Sequence, residues 1–277
     1  MPSISPRLVA ERLTLSYGDT QVVSDLDVSI PDGRITCIVG ANASGKSTLL
    51  RGLSRLLKPT DGRVLLDGAV IGSMKSREVA QVLGLLPQSP VTPEGVTVVD
   101  LVGRGRHPHQ GPLRRWSSAD DVAVAAALAQ TGTSDLAHRN VDELSGGQRQ
   151  RVWIAMALAQ QTDLLLLDEP TTFLDVAHQV EVLDLLADLN AARGTTIVMV
   201  LHDLNLAARY SHHLLAMRGG HIVASGIPDQ VMTAERVEEV FGLANRVITD
   251  PVSGTPLVVP LGRHLRAEPL ENLEMKR

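Results

Sequence analysis

The sequence has one cysteine, Cys37, so no intrachain disulfide can form, and this usage suits a reducing compartment. Aromatic residues make up only 2% of the 277, so the core must be aliphatic. No apolar run approaches the ~20 residues needed to cross a bilayer, and residues 1–7 lack the apolar stretch of a signal peptide. The expectation is a soluble, cytoplasmic chain that meets a membrane only through a partner. Positive charge is not in excess either. The formal net charge is −5, which argues against a broad nucleic-acid-binding face.

The rest of the composition is ordinary for a globular protein, with 44% hydrophobic and 21% charged residues. The length allows one large α/β domain or two lobes, and a core of that size needs no staples. The most informative segment is Gly40-Ala41-Asn42-Ala43-Ser44-Gly45-Lys46-Ser47-Thr48, a complete G-x-x-x-x-G-K-[ST] loop. Residues 35–39 before it read as a short buried strand, and Leu49 onward begins a helix. Strand, glycine-rich turn and helix N-terminus together make a phosphate cradle: backbone N–H groups converge on the anion and the helix dipole adds partial positive charge. Lys46 has the reach for terminal phosphates, and Ser47 offers a hydroxyl to Mg²⁺.

Around that loop the apolar pattern alternates between strand and helix. Residues 7–35, 63–68 and 81–87 read as strands joined by turns. Residues 119–131 read as an alanine-rich helix, and 147–160 as a helix with Val152, Ala155, Met156 and Ala159 on one face. Leu164-Leu165-Leu166-Leu167 and residues 196–201 are unalternating apolar runs, the signature of parallel strands buried on both faces. Residues 176–190 and 204–210 read as helices, and 214–217 with 221–224 as a strand pair. The sum predicts a largely parallel sheet with helices outside. Residues 89–116 hold many Arg and His with no long period.

Two further segments carry chemistry. The run 164–167 ends in Asp168-Glu169, which places two carboxylates at the C-terminal edge of a central strand, where ligand sites of open α/β sheets form. One acid suits Mg²⁺ held through water; the other suits orienting or deprotonating an attacking water. Asp168 would otherwise serve merely to cap the following turn. Leu144-Ser145-Gly146-Gly147-Gln148 opens the next helix with a good N-cap and exposed N–H groups, either a plain cap or a second anion site. One nucleotide cannot readily use both anion sites of one chain if they sit on separate lobes, so a second copy placed head to tail would supply the other.

Together these segments resemble the ATP-binding cassette (ABC) ATPases over about residues 8–226. Residues 40–48 match the Walker A loop, 164–169 look like Walker B with its glutamate, and 144–148 match the LSGGQ signature without a mismatch. Gln88 falls at the Q-loop, Thr172-Phe173-Leu174-Asp175 resembles the D-loop, His202 the switch histidine, and Tyr17 the aromatic that stacks on adenine. The resemblance implies a RecA-like P-loop NTPase core with an N-terminal antiparallel β subdomain and an inserted helical signature subdomain. It places an ATPase domain at 7–250, with the insertion at about 89–160 and a tail at 251–277.

It also implies roles. Lys46 and the loop amides of 40–48 would hold the β- and γ-phosphates of ATP; Ser47, Gln88 and Asp168 would serve Mg²⁺; Glu169 would polarise water; His202 would touch the γ-phosphate. Ser145 and Gly147, with the rest of 144–148, would close over the ATP of an opposite subunit, and Asp175 would couple the two sites. Ala43 stands where many members have glycine, a change common in one importer branch. His107, His109, His212 and His213 lack metal-ligand spacing and are expected to be loop or surface residues.

With no membrane span, a transport role needs separate permease chains and, indirectly, a substrate-binding protein. Residues 101–109, Leu113-Arg114-Arg115-Trp116 and 250–260 look like the ATPases of importers for iron–siderophore complexes, haem and cobalamin. Residues 101–116 read either as a solvated basic loop or as a permease-docking surface in which Arg104, Arg106, Arg114 and Arg115 pair with acidic groups and Trp116 offers apolar area. The expected site is the cytoplasmic face of the membrane. Cassettes of translation or DNA repair usually carry two phosphate loops, coiled coils or zinc hooks, and none is found here. A module that binds ATP without turnover would lack Glu169 or an intact 144–148.

Overall fold

The computed structural model describes residues 6–88, 90–91, 94–110 and 116–262. Its main sheet has six strands in the order β10-β9-β3-β8-β7-β6. β3 (Ile35–Gly40), β6 (Leu83–Leu86), β7 (Leu164–Asp168), β8 (Thr196–Val200) and β9 (His213–Arg218) run parallel, while β10 (His221–Gly226) pairs antiparallel to β9 at one edge.

The apolar runs form strands because every residue of β3, β7 and β8 is buried. Alternate side chains enter different cores. Ile38, Leu164, Leu166, Val198 and Val200 face one cluster; Cys37, Val39, Leu165, Leu167, Ile197 and Met199 face the other. Fully burying one such side chain is worth about 1.5–3 kcal/mol. That exceeds the ~1 kcal/mol span of strand propensity, so burial on both faces selects the strand.

The first core is closed by a second sheet of order β2-β1-β4-β5, built from β1 (Leu8–Tyr17), β2 (Thr20–Ile30), β4 (Asp61–Leu66) and β5 (Ala69–Val70), all antiparallel. Helix α1 (Lys46–Leu53) lies between the sheets, with Leu49, Leu50 and Leu53 buried among Leu13 and Leu15 of β1. A Cβ at Gly52 would stand 2.6 Å from Leu15 Cδ1, so the glycine lets α1 approach the small sheet.

Between β6 and β7 lie the helices of the insertion: α3 (Val98–Gly103), a 3₁₀ stretch at Arg104–His109, α4 (Ser118–Gln130) and α5 (Gly146–Ala159). They share the second core with α6 (Val176–Arg193) and α7 (Leu204–Tyr210). After β10 come α8 (Pro228–Val231), α9 (Ala234–Phe241) and a hairpin of β11 (Asn245–Thr249) with β12 (Pro256–Pro260). This is an α/β fold with a RecA-like P-loop core, an antiparallel β subdomain and an inserted helical subdomain, as the motifs imply.

Two sequence expectations need correction. Gln81 and Val82 close helix α2 (Ser76–Val82) instead of opening a strand. Val79 is the buried residue of that helix, and the strand begins at Leu83. Arg106 is not a docking residue. It is 5% exposed; its Nε donates to Asp120 Oδ1 at 3.0 Å, and its Nη1 donates to Ala159 O at 2.7 Å and Gln161 Oε1 at 3.0 Å. The guanidinium fastens α3's end to α4 and α5. Arg104 is exposed, and Trp116 is 48% exposed with its indole N–H donating to Asp121. Arg114 and Arg115 lie outside the described residues.

Asp120 is 1% exposed, and hydrogen bonds from Ser117 and Arg106 outweigh burial and hold its carboxyl below the usual range. Its stabilising contribution is therefore present above the unfolded carboxylate pKa and lost as pH falls through the lower folded value. Arg106→Met strands a buried charge and is expected to cost about 3 kcal/mol at neutral pH. Denaturant unfolding checks this, and a smaller difference between the two proteins is expected in acid.

Candidate functional site

The parallel strands all deliver their functional residues to one sheet edge. β3 ends at Gly40 and opens into the 40–48 loop; β7 ends at Asp168; His202 follows β8 by two positions; Gln88 follows β6 by two. The resulting cleft has a volume of about 910 Å³ and is lined by Asn42 through Thr48, Gln88, Glu169 and His202, together with Thr20, Gln21, Val22 and Gly219.

The loop is shaped to hold an anion. A Cβ at Gly40 would stand 2.3 Å from Met217 O, so the backbone fits only without one. Gly45 (φ 100°) takes the left-handed turn into α1, and Ala43 also has positive φ, at 61°. Ser44 Oγ is buried with no partner. Lys46 is 5% exposed, and its ammonium donates to Gly40 O and Ala41 O, both at 2.9 Å. Burial lowers its pKa, against the pull of Glu169 and Asp168.

The acid pair divides in role by environment. Asp168 is raised by burial, although Ser47 Oγ donates to its Oδ1 at 2.8 Å, and the neighbouring Glu169 charge raises it further. Burial also acts on Glu169, but donors outweigh it and its carboxyl stays below the ordinary value. His202 Nε2 sits 2.7 Å from Oε1; Gln88 Nε2 and Thr172 Oγ1 donate to Oε2 at 2.7 and 3.0 Å. Glu169 itself has φ 54°, a left-handed conformation that turns its side chain out of the strand's alternation. Two adjacent carboxyls pushed in opposite directions suit one as an ionised base and one as a partner to a hydroxyl or hydrated cation.

This donor set fits Mg²⁺ and a triphosphate. Ser47 Oγ and Asp168 Oδ1 are hard oxygen atoms held together, with the Gln88 amide in the same cleft, and a cation bound chiefly by phosphates needs few protein ligands. The orphan Ser44 hydroxyl, in a loop bounded by Gly40 and Gly45, fits phosphate oxygens.

The remaining predicted residues lie apart from this cleft. Tyr17 ends β1, is 43% exposed, and its hydroxyl accepts from Arg51 Nη1 at 3.1 Å. Ser145 N-caps α5: its Oγ accepts from Gln148 N at 3.2 Å, and Gln148 Oε1 accepts from Ser145 N at 3.1 Å. Gly146 and Gly147 lie against the D-loop, where added Cβ atoms would meet Phe173 Cβ at 3.8 Å and Leu174 Cδ2 at 3.3 Å. Asp175 N-caps α6 by accepting from His178 N at 3.0 Å. His109 Nε2 is 2.7 Å from Gln160 O, His212 Nδ1 accepts from Ile35 N, and His213 Nε2 is 2.9 Å from Ser225 Oγ; His107 is exposed.

Several participants are invisible to motif reading. Gln150 Nε2, buried on α5, donates to Pro170 O at 3.0 Å and so ties the signature helix to the residue after Glu169. Gly220 N donates to Ser44 O at 3.0 Å, bracing the phosphate loop from the β9–β10 turn. The Gly219-Gly220 pair was the available signal. A Cβ at Gly220 (φ 83°) would stand 2.2 Å from Val22 O, whereas one at Gly219 (φ 56°) meets nothing within 4 Å. Gly220→Ala is expected to weaken nucleotide binding about tenfold or more, and Gly219→Ala to cost only ~1 kcal/mol of backbone strain. Titration with a fluorescent nucleotide, alongside thermal melts, separates the two.

Comparison with known proteins agrees with this geometry. The ABC transporter family model matches residues 23–172. The ferric enterobactin transport ATP-binding protein FepC of Escherichia coli K12 is 55% identical over 257 residues, covering 93% of this chain and 95% of the relative. A metal-chelate type ABC transporter solved in an inward-facing conformation superposes with a TM-score of 0.79 at 30% identity, over 93% of this chain and 98% of that one. The dimeric structure of the bacterial cassette MJ0796 has a TM-score of 0.72 at 26% identity, over 79% of this chain and 98% of that one. Phosphate loop, acid pair, signature helix and near full-length likeness converge: the chain belongs to the ABC transporter family, as one of its ATP-hydrolysing subunits.

Proposed function

We propose that this ATPase powers uptake of a ferric siderophore or related metal chelate through separate permease subunits, at the cytoplasmic face of the membrane. Residues 7–250 act as its nucleotide-binding unit, with about 89–160 as the inserted subdomain. For the cargo, the support is the likeness to the enterobactin protein over nearly the whole of both chains. No helix among the described residues is long and apolar enough to cross a membrane, so the path for cargo belongs to partners.

The observation that carries the mechanism is the clasped Glu169 carboxylate in one cleft with Lys46 and Ser47, with Asp168 bonded to Ser47. Lys46 and the N–H groups of 40–48 hold the β- and γ-phosphates, and Tyr17 stacks on the base. Ser47, Gln88 and Asp168 would hold Mg²⁺, which would shield phosphate charge. Glu169, kept ionised by its donors, accepts a proton from the attacking water, and His202 donates to the γ-phosphate. The Ser145 turn, with Gly146, Gly147 and Gln148, closes over ATP bound to a second copy placed head to tail, and Asp175 couples the two sites. The dimeric MJ0796 cassette supports such a pair. Most of the acceleration is positioning and charge stabilisation, as phosphoryl transfer requires.

Glu169→Gln is expected to keep ATP affinity within about twofold while hydrolysis falls at least ~100-fold, and a nucleotide-bound dimer should accumulate in gel filtration. Normal phosphate release by that variant would refute the assignment of the base. For the permease face, reversing Arg114 and Arg115 to glutamate should lower chelate uptake in cells more than ATP binding by the purified subunit. Equal uptake with intact assembly would remove those residues from the docking surface.

A further inference from the structure

Apart from the resemblance at 250–260, residues 227–262 carry no recognised motif, yet Asp250 and Val258 bond to one short helix. That helix is α7, which starts two residues after His202. Asp203 caps it, Oδ1 accepting from Asn205 N at 2.8 Å and Leu206 N at 2.9 Å. His202 is thus the last residue before a rigid capped turn. Where α7 sits determines where the imidazole sits.

The hairpin β11–β12 grips α7 at two points. The Asn205 side chain bonds to both backbone groups of Val258: its Oδ1 accepts from Val258 N at 2.7 Å, and its Nδ2 donates to Val258 O at 3.3 Å. In this way the amide mimics a neighbouring strand at the edge of β12. One turn along, Arg209 Nη2 donates to Asp250 Oδ2 at 2.7 Å. Asp250 is 9% exposed and organises the hairpin's own turn, with Oδ1 accepting from Val252 N at 2.9 Å and Oδ2 from Ser253 Oγ at 2.7 Å. Asn205 and Arg209 are four apart, so both lie on one helix face.

The hairpin is anchored in turn. Asn245 Nδ2 donates to Ala234 O at 3.0 Å at the start of α9, and Leu261 N donates to Ala244 O at 2.8 Å. Val258 is buried in the second core with Val237 and Val240 of α9. On α7's other side, Tyr210 OH donates to Asp184 Oδ1 on α6 at 2.7 Å. With seven residues, α7 is too short to hold its position by its own propensity. Its placement is set by what it is tied to.

We propose that the β11–β12 hairpin is a brace for the catalytic edge, and that Asn205, with the Arg209–Asp250 pair behind it, is a positioning residue that sets His202 against Glu169 and the γ-phosphate. This rests on the reading that His202 serves hydrolysis. A brace of this kind changes turnover, not nucleotide capture, because the phosphate loop lies on a different strand with its own support from Gly220.

The test is steady-state ATP hydrolysis by the full chain carrying Asn205→Ala, in the wild-type background and in His202→Ala. The expected result is a five- to tenfold fall in kcat with KM for ATP within twofold in the wild-type background, and no further fall in the His202→Ala background. An equal fall in both backgrounds would overturn the brace, because the loss would not pass through His202. No fall in the wild-type background would overturn it too. If His202→Ala alone left kcat unchanged, the role of His202 itself would fail, and the brace would lose its target. Should Asn205→Ala melt below the assay temperature, Asp250→Asn, which keeps the side chain's size, is measured in the same two backgrounds and read the same way.

Discussion

The Glu169 carboxylate is almost buried, and a buried charge persists only where hydrogen-bond donors repay its lost hydration. Here the donors come from three separate places: Gln88 beyond β6, Thr172 in the turn after β7, and His202 beyond β8. Each must arrive at the same point, which fixes the register of three neighbouring strands and the exit path of each loop. Ser47, bonded to Asp168, then locks the phosphate loop to that assembly. The fold's parallel sheet with helices on its faces is the framework that lets four loops converge on one edge.

The parts of the molecule that chemistry constrains tightly were legible in the sequence. The phosphate loop, the acid pair and the signature turn match motifs of set residue types at set spacing, and the first two meet through Ser47 and Asp168. The buried strands were legible because unalternating Leu and Val runs suit little else. Short mixed segments were not. Gln81-Val82 adjoins Leu83-Gly84-Leu85-Leu86, and period alone does not divide an apolar run between a helix end and a strand. Arg106 read as surface charge because its partner, Asp120, is fourteen residues on and its carbonyl acceptor, Ala159, further still. The C-terminal hairpin was opaque for the same reason. Its bonds run to Asn205 and Arg209, and an Asn and an Arg near the ends of a short helix carry no signal of a distant strand.

Those long-range bonds also connect the pieces that a working cycle would move. Gln150 joins the signature helix to Pro170; α6 begins at the D-loop and meets α7 through Asp184 and Tyr210; α7 begins beside His202. The helical insertion is thus tied to the residue after Glu169, α6 to the helix behind His202, and that helix to the C-terminal hairpin through Asn205 and Arg209.

The central claim is that each triphosphate is clasped by the phosphate loop of one copy and the signature turn of another. The most direct measurement is the structure of the protein with a non-hydrolysable ATP analogue and Mg²⁺. The account predicts that the γ-phosphate on Lys46 of one copy lies within hydrogen-bond distance of Ser145 in its partner. A fully occupied nucleotide with Ser145 remote from every γ-phosphate, in each assembly the protein forms, would contradict it.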